Sequence, residues 1–220
     1  MRAIVFDLEF TKTTIPRIIQ IGAVTVDLQR LEVIDCYTRT ANSGEKVCSF
    51  IEELTGISQA RIDASARIEE VLEDFFKWLK KPGQPKAVYS WGEGDLVLLR
   101  MNAASYGVPA PRIVGANIKE FFKLVKLAKG EKVKGGLKRT MENFELSFYG
   151  REHDAFIDSF NTARLVFQLL DQLKNGYETK KKKNYKDEKD SLNCEQFREI
   201  CLKKFNYSLD YFSPKKEEER

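Results

Sequence analysis

Ala3–Phe10 (AIVFDLEF) is a short apolar run broken by two acids, Asp7 and Glu9. Residues two apart share one face of a strand, so both carboxylates point the same way at its C-terminal end. Arg17–Asp27 (RIIQIGAVTVD) and Val33–Thr40 (VIDCYTRT) are β-branched and partly alternating, which is strand chemistry. The segment between them is short and polar, so the first three strands are expected to form an antiparallel meander. SFIEELTGIS predicts a short helix ending near Gly56. Over Ala66–Lys81, Ile68, Val71, Leu72, Phe75, Phe76 and Leu79 recur at helical spacing, and PGQP ends the run. KAVYSWG reads as a buried strand. DLVLLRMNAASYG reads as a helix that opens on an acid and runs to Gly107. PRIVGANIKEFFKLVKLAKG holds a brief strand and a helix, GGLKRTMENFEL another helix, and Asp154–Leu173 the last helix of the body. Three strands followed by strands alternating with helices predict an α/β fold, a mixed sheet with helices on its faces.

The texture changes near Asn175. Residues 174–190 (KNGYETKKKKNYKDEKD) are almost free of apolar side chains and read as a solvated linker. Periodicity returns over 191–220 through Phe197, Ile200, Cys201 and Phe205, which predicts a small helical appendage with a frayed, charged end. The body is therefore expected to span residues 1–173.

Composition is ordinarily globular, with 42% hydrophobic and 32% charged residues. No apolar run is long enough to span a bilayer, and the early acids make the N-terminus unlike a signal peptide. Net charge is +4, and 13 basic against 10 acidic residues from Lys174 onward leave the preceding 173 residues nearly neutral. A nucleic-acid partner is permitted by this balance but not demanded. Cys36, Cys48, Cys194 and Cys201 have no CxxC spacing and are expected to be free thiols in a reducing cytoplasm.

Four acids and the lone histidine carry the candidate chemistry. Asp7 and Glu9 either lie at a solvated strand edge or hold a cation, since hard carboxylate oxygens suit Mg²⁺ or Mn²⁺. Asp95 follows a Gly-flanked turn, where an N-cap alone would explain it. Asp158 stands in the last helix among Ala155, Phe156, Phe160 and Ala163, a poor place for an aspartate without a reason. His153 precedes it by five residues.

In this order, VFDLEF, SWGEGD and HDAFID resemble the three motifs of the DEDDh family of 3′-to-5′ exonucleases, on the DnaQ-like branch of the ribonuclease H architecture. IIQIGAV, LTGIS at Leu54–Ser58, GLKRTMENFEL and NTARL agree with it. LTGIS and the general layout look most like the group containing the histone-messenger 3′ exonucleases and the KapD proteins. The resemblance implies a ribonuclease H-like, mixed five-stranded sheet flanked by helices.

It also implies the chemistry. Asp7, Glu9, Asp95 and Asp158 would hold two divalent ions, Mg²⁺ or Mn²⁺, and His153 would be the general base that takes a proton from the attacking water. An imidazole suits that task because it titrates near neutrality. The loop Gly150–Glu152 would let the ring swing in. The backbone of Phe10 and Thr11 would contact the terminal sugar of the substrate, and Leu54 would lie against the terminal base. Such contacts use base faces and tolerate sequence.

The implied partner is the 3′ end of single-stranded RNA or DNA, a choice that one or two pocket residues could decide. A proofreading DNA exonuclease acting with a polymerase, and a non-catalytic nucleic-acid-binding scaffold, are the competing readings. Trp91 is either a core residue or a base-stacking one. Glu93 is the extra acid in the second motif, either solvated or close enough to perturb the metal site. Lys180–Lys183 either belong to the linker or grip a nucleic-acid backbone. The appendage either packs on the body or docks a protein partner.

Overall fold

The computed structural model describes residues 1–85, 87–128, 135–175 and Glu199. The charged linker expected over 174–190 and the appendage over 191–220 lie outside the described residues, apart from the helical positions 174–175 and Glu199. Lys180–Lys183, Cys194 and Cys201 lie outside them too.

β1 (Arg2–Phe10), β2 (Ile18–Asp27) and β3 (Glu32–Thr40) form the antiparallel meander expected from their alternation. β4 (Ala87–Ser90) pairs parallel to β1, and β5 (Val114–Asn117) parallel to β4. The result is a mixed five-stranded sheet in the order β3-β2-β1-β4-β5, with β1 at its centre.

A central strand is buried on both faces and so reads as a near-continuous apolar run. Ile4, Phe6 and Leu8 point to the face covered by α3 (Ile68–Leu79) and α4 (Asp95–Ser105), where they meet Val71, Leu72, Phe75, Phe76 and Leu99. Ala3 and Val5 point to the other face. This is covered by α5 (Ile118–Ala128), α6 (Leu137–Asn143) and α7 (Ala155–Asn175) through Phe122, Met141, Phe156 and Phe160. Each of the larger side chains contributes roughly 1.5–3 kcal/mol by leaving water. Asp7 and Glu9 continue the second row, so the period of the strand aims both acids at the α7 side.

A third, smaller cluster joins Ile19 of β2 to Val47, Ile51, Ile57 and Ile62. It seats α1 (Ser49–Thr55) and α2 (Gln59–Asp63). α1 ends as expected at Gly56, whose φ of 72° is the left-handed conformation that glycine adopts without penalty. α2 was not expected from the sequence. It starts where the Ser58 hydroxyl accepts the Arg61 amide at 3.2 Å, and five residues are too few to show a helical period. Cys36 is buried, Cys48 is exposed, and both are free thiols. Among the described residues no helix is long and apolar enough to cross a membrane.

Candidate active site

The β1–β2 register places Gly22 opposite Asp7 and Gln20 opposite Glu9. Both features bring α7 down onto the sheet beside the acids. A Cβ at position 22 would lie 2.1 Å from the Phe156 amide nitrogen and 2.4 Å from the Ala155 carbonyl oxygen, so only glycine lets the helix approach this closely. Gln20 then clamps the helix N-terminus. Its Nε2 donates to Asp154 Oδ2 at 3.0 Å, and its Oε1 accepts the Ala155 amide at 3.0 Å. Asp154 Oδ1 accepts the amides of Phe156 and Ile157 at 3.0 and 3.1 Å, which satisfies donors that a helix start leaves open.

With α7 fixed in this way, Asp158 in its first turn faces β1. A carboxylate oxygen of Glu9, one of Asp158 and an imidazole nitrogen of His153 all lie within 4.8 Å of one another. The His153 amide donates to Asp158 Oδ2 at 3.3 Å. Asp158 Oδ1 is buried and has no hydrogen-bond partner. His153 is exposed and takes φ 60°, so the imidazole stands on a left-handed backbone at the rim of the site.

The electrostatics show acids crowded together. Burial, then Asp158, Asp95, Glu9 and Asp154, hold the Asp7 carboxyl well above its ordinary range. Burial, then Glu9 and Asp154, do the same to Asp158. Glu9 is pushed up to about 8 by burial and by Asp154 and Asp95. Such a group of anions resists ionising together unless a cation joins it. An orphaned, buried carboxylate oxygen among hard oxygen donors fits a divalent ion such as Mg²⁺ or Mn²⁺.

Asp95 is the first residue of α4 rather than the N-cap, which is Gly94. Its carboxylate turns back and accepts the Gly92 amide at 3.1 Å. A Cβ on Gly92 would meet that carboxylate at 2.4 Å, which explains the glycine three residues before the acid. Burial raises Asp95 to about 6 against the opposing pull of Ser90 and the Gly92 amide. Glu93 points elsewhere: it pairs with Lys119 at 3.6 Å and Lys123 at 3.1 Å.

Phe10 follows a bulge at the end of β1 and is half-buried. Thr11 is buried and already committed, its amide donating to Arg17 O at 2.9 Å and its hydroxyl accepting the Arg17 amide at 3.0 Å. Leu54 is half-buried near the end of α1, against the third cluster. Trp91 is a core residue, buried edge-on to Phe122 at 5.9 Å. Sequence reasoning missed Gln20 and Asp154. A glutamine in the middle of an apolar strand was the available signal for the first. The second was read only as the first residue of the last helix, whereas α7 begins at Ala155 and Asp154 precedes it.

The exonuclease family RNase_T matches residues 4–166. ERI1 exoribonuclease 2 of Homo sapiens is 27% identical over 143 residues, 55% of this chain and 20% of that protein. ERI1 exoribonuclease 3 of Homo sapiens is 30% identical over 129 residues, 54% of this chain and 37% of that protein. The chain thus spans well under half the length of these relatives. A PolC-type DNA polymerase III of Staphylococcus saprophyticus is 29% identical over 176 residues, 77% of this chain and 11% of that protein. Among solved structures, the nuclease domain of 3′hExo, a DEDDh family member bound to rAMP, superposes with a TM-score of 0.67. It is 21% identical, and the match covers 81% of this chain and 94% of that one. Cell-death related nuclease 4 superposes with a TM-score of 0.69 at 20% identity, over 80% of this chain and 64% of that one. At these identities the shared feature is the fold.

Proposed function

Because the chain belongs to the RNase_T exonuclease family, we propose that it removes nucleoside 5′-monophosphates one at a time from the 3′ end of single-stranded nucleic acid. One observation carries the reading: Glu9, Asp158 and His153 meet within 4.8 Å at the end of the central strand. Asp7, Glu9 and Asp158 would hold one divalent ion, Mg²⁺ or Mn²⁺, and Asp7 with Asp95 a second. When bound, such ions activate water and neutralise the charge that develops on the phosphoryl and leaving oxygens.

The chain's own residues do the rest. His153 takes a proton from the water that attacks phosphorus. The bond from phosphorus to the 3′ oxygen breaks, and that oxygen leaves with the shortened strand and is reprotonated. The phosphoryl group stays with the released nucleotide. The exposure of His153 lets the imidazole return its proton to solvent. Phe10 and Thr11 would seat the terminal sugar, and Leu54 would face its base.

RNA is the favoured strand, because two of the relatives carry the name exoribonuclease. The PolC-type relative keeps a DNA-proofreading role as the second reading. A reducing, cytoplasmic setting suits the free thiols Cys36 and Cys48.

The test uses 5′-labelled RNA and DNA strands of one sequence with Mg²⁺ or Mn²⁺. The expected result is a ladder shortening from the 3′ end, faster on RNA, and absent with EDTA or in Asp7→Ala. A faster DNA ladder would favour proofreading. Intact strands with a folded protein and metal present would leave a binding scaffold.

A further inference from the structure

We propose that Arg151 is a positioning residue that couples the seat of the 3′-terminal base to the placement of His153. The proposal rests on the exonuclease reading above and deepens it. Arg151 lies two residues before His153, yet its side chain reaches α1. Its Nη2 donates to the Glu53 carbonyl at 3.0 Å, across 98 residues of sequence. That carbonyl belongs to the last turn of α1, where the helix has no further amide to offer it.

The planar guanidinium lies close against Gly56. A Cβ there would stand 1.8 Å from Arg151 Nη1 and 2.4 Å from its Cζ. Gly56 therefore does two things: it ends α1 in the left-handed conformation, and it leaves room for the arginine. Leu54, the residue proposed to face the terminal base, lies between Glu53 and Gly56. One side chain thus joins the wall of the base seat to the loop of the general base.

Two further features make this a coupling device rather than a simple tether. The loop already has a tether on its other side, where Glu152 pairs with Lys138 of α6 at 2.8 Å. Arg151 adds a second hold, on α1, and keeps it although its buried Nε finds no acceptor. His153 meanwhile sits at φ 60°, a conformation that a non-glycine residue keeps only while its surroundings enforce it. A shift of α1 on seating a base is passed through a rigid, planar group to a backbone held away from its preferred well. Loss of that group frees the histidine loop from the state of the base seat.

The test compares single-turnover rates with Mn²⁺ on two 5′-labelled strands that differ only in the last nucleotide, normal or abasic. Wild type is expected to cleave the normal end about tenfold faster, within the usual range of coupling between sites. Arg151→Ala should slow the normal end by about tenfold, leave the abasic end within about twofold, and so bring the ratio close to one. KM for the normal strand should change far less than kcat. Gly56→Ala, which pushes the guanidinium away and also strains the left-handed end of α1, should lose the ratio as well. Should Arg151→Ala not fold, Arg151→Lys keeps the charge without the planar fork and carries the same comparison.

A wild type that discriminates, with Arg151→Ala slowing both ends by one common factor or neither, overturns the coupling alone. So does a wild type that cleaves both ends equally fast. A wild type that shortens neither strand overturns the exonuclease reading, and the coupling with it.

Discussion

His153 illustrates how little a residue means apart from its neighbours. A lone histidine is usually bland. This one stands at φ 60° beside Asp158 and Glu9, with its backbone amide on the Asp158 carboxylate. The imidazole is exposed, so removing it should change the chemistry far more than the fold. His153→Ala is expected to lower kcat by about 10²–10⁴-fold, the ordinary worth of a general base. KM and the melting temperature should stay near their wild-type values. Steady-state kinetics with a thermal melt check both halves, and a melting temperature that falls with activity would point to a structural histidine. Asp7, Glu9 and Asp158 stand out in the sequence as charges inside apolar segments, whereas Asp95 and His153 became candidates only through the order and spacing of the three motifs. Gln20 and Asp154 were not, because what they do depends on register. Gln20 matters only because β2 pairs with β1 so that it faces Glu9 and reaches the start of α7.

The approach of α7 to β2 is what turns scattered acids into a site, and Gly22 sets it. The atoms facing its missing Cβ are backbone atoms of Ala155 and Phe156, which cannot rotate away as a side chain would. Gly22→Ala must therefore lift the helix or bend the strand. The expected cost is about 1–3 kcal/mol or more in urea unfolding, as for other overpacked cores. Because Asp158 rides on the same helix, activity should fall more than stability explains, even where the protein is fully folded. Unchanged kinetics in a folded Gly22→Ala protein would mean that α7 tolerates a shift without moving Asp158. α3 was readable from its period, β2 and β3 from partial alternation, and β1 and β4 from apolar runs, while α4 was read from its opening acid and closing glycine. α2 was not, at five residues. Neither was the contact of Arg151 with Glu53 and Gly56, since nothing local in either segment names its distant partner.

The molecule as a whole carries a nearly balanced charge, yet it gathers Asp7, Glu9, Asp95, Asp154 and Asp158 at one end of the sheet. Such a cluster links stability to pH, and the sign follows from the direction of the shifts. Folding raises Glu9 from 4.5 to about 8 and Asp95 from 3.8 to about 6, chiefly by burial. Between those limits the folded state holds protons that the unfolded chain has released. Stability is then fully present below the unfolded values and is lost as pH rises through the folded ones. Asp27, Glu69 and Glu93 are shifted the other way, downward, so their influence lies at more acid pH. A comparison that starts at about pH 5 avoids them. In EDTA the melting temperature should fall steadily from about pH 5 to about pH 8.5, the span set by these shifts. Divalent ions need the carboxylates ionised, so added Mn²⁺ should raise the melting temperature little at the acid end and most at the alkaline end. The two curves should therefore diverge with rising pH, and in Asp7→Asn they should diverge less. A melting temperature in EDTA that is flat or rising over that range would mean that the acids are already ionised without a metal. The cluster would then be a solvated rim and not a site that waits for cations.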